Sequence, residues 1–266
     1  MIPYFQYNIL MIGPIHIQVW GLFVSLGLIA AILLAYRLTK KYLLAPDVIL
    51  DISIWAIVGG LLMARLFHVF FYEPAHYIMY PSEILKFWQG GSSSLGGFIG
   101  AALAVWLFKQ IRKFTWKEFI PYLDISAISL WLGWFIGRLG CFFIHDHTGK
   151  ASDFFLAVNF TTGSRHDLGL YDSLFALSIF IIYFLLFKYL IKIHWGLVAI
   201  LSFMDYAIVR FLLDFLRADD SITGGDIRYY NLTPAQWGMI ALFCSLSSIL
   251  VYIVIKKRKK NVKIMN

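Results

Sequence analysis

The chain has 266 residues, of which 60% are hydrophobic, 18% aromatic and only 14% charged, with a mean hydropathy of +0.74. That composition excludes an ordinary water-soluble domain and makes a bilayer the expected solvent. The formal net charge is +8, but most basic residues fall in short connections between apolar stretches, which points to an anionic lipid surface and away from nucleic acid.

Seven apolar stretches occur in chain order, at 17–36, 52–71, 95–108, 125–143, 171–187, 195–215 and 237–255. About 20 helical residues cross a hydrocarbon core of roughly 30 Å. The expected fold class is therefore all-α, a polytopic membrane protein with about seven transmembrane helices. A single membrane domain over 1–266 is expected, because no repeat or low-complexity linker interrupts the chain. No charged segment precedes the first stretch, and the first basic residue is Arg37, so that stretch is expected to stay as a span.

Arg37, Lys40 and Lys41 follow the first span, and Lys109, Arg112, Lys113 and Lys117 the third. Lys188 and Lys192 follow the fifth, and Lys256, Lys257, Arg258, Lys259 and Lys260 the seventh. Short loops rich in Lys and Arg remain cytoplasmic. The N-terminus is thus expected outside, the C-terminus in the cytoplasm, and the three longer connections, 72–94, 144–170 and 216–236, outside. The two cysteines, Cys141 and Cys244, define no disulfide framework.

Small residues recur where helices need close backbone approach: Gly59 and Gly60, Gly96 and Gly100, Gly133 and Gly137. The run 90–97, Gly-Gly-Ser-Ser-Ser-Leu-Gly-Gly, reads either as a loop lining a polar cavity with its amides or as an ordinary flexible helix start.

Ionisable side chains at membrane depth are costly and cluster here. The second span carries Arg65 and His68, with Tyr72 a turn further; the fourth carries Arg138, then Cys141 and the triplet His145-Asp146-His147. The sixth carries Tyr206, Arg210, Asp214 and Arg217 at offsets of four, eight and eleven residues, one face of a helix. Arg210 and Asp214 can neutralise each other across one turn. Arg65, Arg138 and Arg210 all lie toward the outer ends of their spans, where planar guanidinium groups suit a phospholipid phosphate. The alternative is that each snorkels to the interface or pairs with Asp124, Asp205 or Asp214. His145 and His147 lack a third ligand fixed by spacing, so no metal is expected. They read as a general acid–base pair or as a solvated loop pair.

In their order along the chain these motifs resemble the bacterial prolipoprotein diacylglyceryl transferase family. The signature G-R-x-G-N-F-x-N-x-E-x-x-G aligns without gaps to residues 137–149, from Gly137 and Arg138 to Gly149. Further matches are Trp20-Gly21, Gly59-Gly60 with Arg65 and Tyr72, Gly90-Gly91 with Gly96-Gly97, Arg165-His166, Leu170-Tyr171-Asp172, the Tyr206-to-Arg217 stripe, and Leu232-Thr233 with Gln236. The resemblance implies transfer of a diacylglyceryl group from phosphatidylglycerol to the lipobox cysteine thiol of a preprolipoprotein. It implies a bacterial inner-membrane protein with its site toward the outer face, working among membrane lipids without a cofactor.

For the residues, the resemblance implies a phospholipid site of Arg138, Arg210, Arg65, Gly96, Gly97, Cys141, Gly149 and Arg217. Chemistry would fall to Arg138, Arg210, Asp146, His145, His147, Tyr206 and Asp214. The sequence departs from the family at Leu95, where the family has a histidine, at Cys141 and Ile144, where it has asparagines, at Trp20 for a tyrosine, and at Asp146 and Asp214 for glutamates. His145 or His147 is accordingly the candidate base for the thiol. Alternatives on the same scaffold are a phospholipid-dependent transferase with another acceptor, or a lipid-binding or transport protein.

Overall fold

The computed structural model describes residues 1–86, 90–218 and 228–265, with the backbone alone at Ser94 and over 258–265. Parts of two expected outer connections, 87–89 and 219–227, lie outside the described residues.

Helices dominate. They are α1 (Val19–Lys41), α2 (Pro46–Phe67), α3 (Pro74–Met79), α4 (Ser94–Ile111), α5 (Trp116–Ile144), α6 (Leu168–Ile193), α7 (Leu197–Leu213) and α8 (Pro234–Met265). Five segments are long and apolar enough to cross a membrane: Val19–Lys41, Pro46–Tyr72, Trp116–Ile144, Leu168–Ile193 and Pro234–Lys257. Helix α4 is a shorter apolar helix, and α7 has 17 residues. The chain is an all-α polytopic membrane protein; each of the seven expected stretches overlaps a helix, and five of those helices are long and apolar enough to cross a membrane.

Six short strands accompany them among the described residues: β1 (Ile2–Pro3), β2 (Ile9–Ile12), β3 (Ile15–Gln18), β4 (Thr148–Ala151), β5 (Val158–Phe160) and β6 (Gly163–Asp167). Strands β2 and β3 form a hairpin closed by Gly13 and Pro14, with φ +59° at the glycine. The other four form one sheet in the order β1-β5-β6-β4, with β1 parallel to β5 and the remaining pairs antiparallel.

The chain divides into two compact units, Met1–Ala35 with Leu123–Asn266, and Tyr36–Tyr122. In the first, α1 meets α5 at a glycine seam: a Cβ on Gly27 would lie 2.5 Å from the Gly133 carbonyl oxygen, and one on Gly140 would lie 2.7 Å from Phe23 Cβ. Helix α7 packs against both α6 and α8. Leu168, Leu170, Tyr171 and Leu213 form a buried cluster beneath the sheet. Helix starts are capped by side chains: Asp167 accepts from Leu170 N at 2.9 Å, and Thr233 and Gln236 exchange backbone-to-side-chain bonds as a capping box. Asp124, on α5, accepts from Gly196 N at 2.6 Å and Ala199 N at 2.8 Å at the start of α7, so this buried carboxylate serves a helix end and not an arginine.

In the second unit, α2 and α4 interlock through glycines. A Cβ on Gly59 would lie 2.3 Å from Ala104 Cβ, and one on Gly100 would lie 2.3 Å from the Gly59 carbonyl oxygen. Only the absence of side chains there allows the backbones to approach. The last turn of α2 continues as a π-helical turn, His68–Tyr72.

Candidate functional site

Arg138 is the centre of a polar cluster in the first unit. It sits on α5 nearly two turns from the helix end at Ile144, with Nε 2.8 Å from Asp172 Oδ2 on α6 and its guanidinium 4.8 Å from the Trp134 ring centroid. Asp172 also accepts from Trp134 Nε1 and from the Tyr206 hydroxyl, each at 3.4 Å. Its side chain is 2% exposed, so α5, α6 and α7 meet on one buried carboxylate. Such a group is tolerable at this depth only because it is paired and hydrogen-bonded at once.

In the sequence Asp172 stands only among the family matches, as the end of Leu170-Tyr171-Asp172, with no role attached. The signal was present, because a lone carboxylate in an apolar span must find a cation, yet only the packing names Arg138 as that cation.

The other end of Arg138 faces the signature's last residues. Nη1 lies 3.7 Å from Cys141 Sγ and 3.4 Å from His147 Nε2, and His147 Nδ1 is hydrogen-bonded to Asp146 Oδ1. Donor atoms of Cys141, Asp146 and His147 lie within 4.8 Å of one another, close enough to suggest a metal. The permanent guanidinium against two of those three atoms opposes a second cation, and the arrangement suits an anion.

The two candidate histidines have different surroundings. His145 Nδ1 is 2.6 Å from Asp167 Oδ2, its side chain is 2% exposed, and Tyr4, Phe5, Phe142 and Phe160 surround its ring. His147 is 25% exposed and belongs to the Arg138 cluster.

A second cluster lies further along α7. Arg210 Nη2 is 3.2 Å and Arg217 Nη1 3.8 Å from Asp214 Oδ1, while Thr233 Oγ1 donates to Asp214 Oδ2. The stripe Tyr206, Arg210, Asp214, Arg217 thus runs from the Arg138 cluster to the start of α8. Gly149 ties its far end to the signature strand through a bridge to Arg217. A Cβ on Gly149 would stand 2.6 Å from the Leu216 carbonyl oxygen and 2.8 Å from His166 Cβ, so this position needs glycine for close approach.

Arg65, Gly96 and Gly97 belong to the second unit. Arg65 is 3% exposed. Its Nε donates to the Ile84 carbonyl at 3.0 Å, Nη2 to Glu83 at 2.7 Å, and Nη1 to both Gly91, at 2.9 Å, and Gly90. The guanidinium therefore gathers the loop on either side of 87–89. Gly96 is buried in the α2–α4 seam, where a Cβ would meet Phe67 Cβ at 2.5 Å, and Gly97 follows it in the first turn of α4. Leu95 is half-exposed beside them. Outside the spans, hydrogen bonds from His76 and Lys86 hold the Glu83 carboxyl below the usual carboxylate range.

The sequence model described as prolipoprotein diacylglyceryl transferase matches residues 8–254. The chain belongs to the prolipoprotein diacylglyceryl transferase family. Among relatives named phosphatidylglycerol–prolipoprotein diacylglyceryl transferase, that of Chloroherpeton thalassium is 30% identical, covering 85% of this chain and 84% of its own. That of Ectopseudomonas mendocina is 33% identical, covering 84% and 86%. That of Pseudomonas aeruginosa is 34% identical, covering 81% of each. The Arg138 cluster lies within the matched residues.

Proposed function

We propose that this chain is an integral inner-membrane transferase that moves the diacylglyceryl group of phosphatidylglycerol to the lipobox cysteine thiol of a preprolipoprotein, forming a thioether and releasing glycerol phosphate. Displacement at a glyceryl carbon needs cations where the phosphate charge develops. The observation that carries the reading is the Arg138 cluster, in which one guanidinium edge is locked by Asp172 and the other faces His147 and Cys141. Arg138 and Arg210 hold the phosphate in this reading, Tyr206 and Asp214 orient them, and Cys141, Gly149 and Arg217 border the headgroup. Arg65 contributes by fixing the Gly90–Gly91 loop ahead of Gly96 and Gly97. Membrane lipids supply the donor. The whole chain acts as one transferase domain, with the N-terminus and the site toward the outer face and the C-terminus in the cytoplasm.

The test is complementation of a transferase-depleted bacterium, together with transfer of labelled diacylglyceryl from phosphatidylglycerol to a lipobox peptide by the purified protein. Wild type should succeed in both, and Arg138→Ala and Arg210→Ala should each abolish transfer while still inserting in the membrane. Full activity in either variant rejects the phosphate assignment. Phospholipid binding without transfer to any lipobox peptide would instead favour a different acceptor, the reading prompted by Leu95 at the family's histidine position.

A further inference from the structure

We propose that His147 is the proton donor to the departing phosphate, oriented by Asp146 and held beside the Arg138 guanidinium; this rests on the transferase reading above. The direction of its hydrogen bonds carries the argument. A guanidinium only donates, so His147 Nε2, 3.4 Å from Arg138 Nη1, must be the acceptor of that pair. The neutral ring then carries its proton on Nδ1, which donates to Asp146 Oδ1. One nitrogen is thereby committed to a carboxylate, and the other points at the guanidinium where an anion is expected.

Among the described residues, the following charged and titratable groups lie around the ring. Arg138 and Cys141 face it from α5, and Asp146 precedes it in the chain. On the neighbouring β6, Arg165 donates to the Gly149 carbonyl and Asp167 is engaged with His145 and Leu170 N. Behind Arg138, Asp172 holds the guanidinium in place. With Arg138 alone, a proton on Nε2 would meet a positive charge. A phosphate that takes the Nη1 donor for itself removes that bond and leaves Nε2 free to face the phosphate oxygens.

A proton delivered at that point offsets the developing charge, since a phosphodiester carries one negative charge and breaking its glyceryl C–O bond leaves a monoester with up to two. In the step, the thiol gives its proton to solvent and its sulfur bonds to the glyceryl carbon as the C–O bond breaks. The electron pair stays on the phosphate oxygen, which takes the proton from Nε2, and solvent reprotonates the ring. His145, enclosed by aromatic rings and bound to Asp167, takes no part in this transfer and positions the chain that carries Asp146 and His147.

The test is the pH dependence of kcat for labelled diacylglyceryl transfer by the full-length protein in phosphatidylglycerol-containing nanodiscs. Wild type should show a descending limb at alkaline pH. In His147→Gln that limb should vanish and kcat at neutral pH should fall about 10²-fold or more, the usual contribution of a positioned acid, with KM for phosphatidylglycerol nearly unchanged. Asp146→Asn should move the limb to lower pH, and added imidazole should restore part of the activity of His147→Ala. A descending limb retained in His147→Gln, or no rescue by imidazole with the variant folded by thermal melting, overturns the proposal. Absence of transfer by wild type at every pH would overturn the transferase reading itself.

Discussion

Arg138 Nε stands 2.8 Å from Asp172 Oδ2, a salt bridge that joins α5 to α6 with the carboxylate side chain 2% exposed. Breaking a buried pair on one side leaves the other charge uncompensated, which costs about 3–5 kcal/mol. Asp172→Asn keeps the shape and removes the charge, so a loss toward the lower end, about 3 kcal/mol, is expected, because Arg138 retains some solvent contact. Thermal unfolding in detergent should show the drop, and transfer should fall with it even though Asp172 lies behind the guanidinium. An unchanged melting temperature would mean that the pair is not what fixes Arg138.

Gly149 is held between the Leu216 carbonyl oxygen and His166 Cβ, at 2.6 and 2.8 Å from where a Cβ would stand. One of those neighbours is backbone and cannot rotate away. Gly149→Ala should therefore push β4 off the Leu216–Arg217 segment at a cost of about 1–3 kcal/mol. Faster hydrogen exchange at Arg217 and a raised KM for phosphatidylglycerol are the expected readouts, since Arg217 shares Asp214 with Arg210.

Arg65 meets four carbonyls from one fork, those of Glu83, Ile84, Gly90 and Gly91. A lysine keeps the charge but cannot span them. Arg65→Lys should leave α2 intact and loosen the loop, seen as at least a tenfold faster amide exchange, worth about 1.4 kcal/mol at this temperature, at Gly90 and Gly91.

His166, on the sheet outside the spans, has its pKa lowered by partial burial. Its Nδ1 is hydrogen-bonded to the Tyr171 hydroxyl at 2.8 Å, and the partial burial disfavours the charged ring. Because the folded value lies below the unfolded one, near 6.5, the unfolded chain binds the extra proton first. Stability is then full above that range and falls as pH drops below it. His166→Gln should flatten the fall in melting temperature between neutral and mildly acidic pH, and an identical pH profile in the variant would discount this residue.

The seven apolar stretches were legible because a helix in lipid must satisfy its backbone internally and show a long uncharged run. So were the glycine seams, which need small residues at fixed spacing, and the Arg210–Asp214 pair, which is local in sequence. The sheet of β1, β4, β5 and β6 was not, since three of its strands come from one polar connection and the fourth from the chain start. Strand pairing over such separations leaves no period in the sequence.

By itself, then, the sequence determined the solvent, the helices and the family, because hydropathy and an ordered motif are properties of consecutive residues. Only the tertiary structure decided how each charge is used. It bound Arg138 to Asp172 on α6, an acceptor shared with the Tyr206 hydroxyl of α7, directed Arg65 to loop carbonyls, buried His145 against Asp167, and left His147 facing the guanidinium. A charge in a low-dielectric interior is defined by its nearest partner, and partners that come from different helices are chosen by packing.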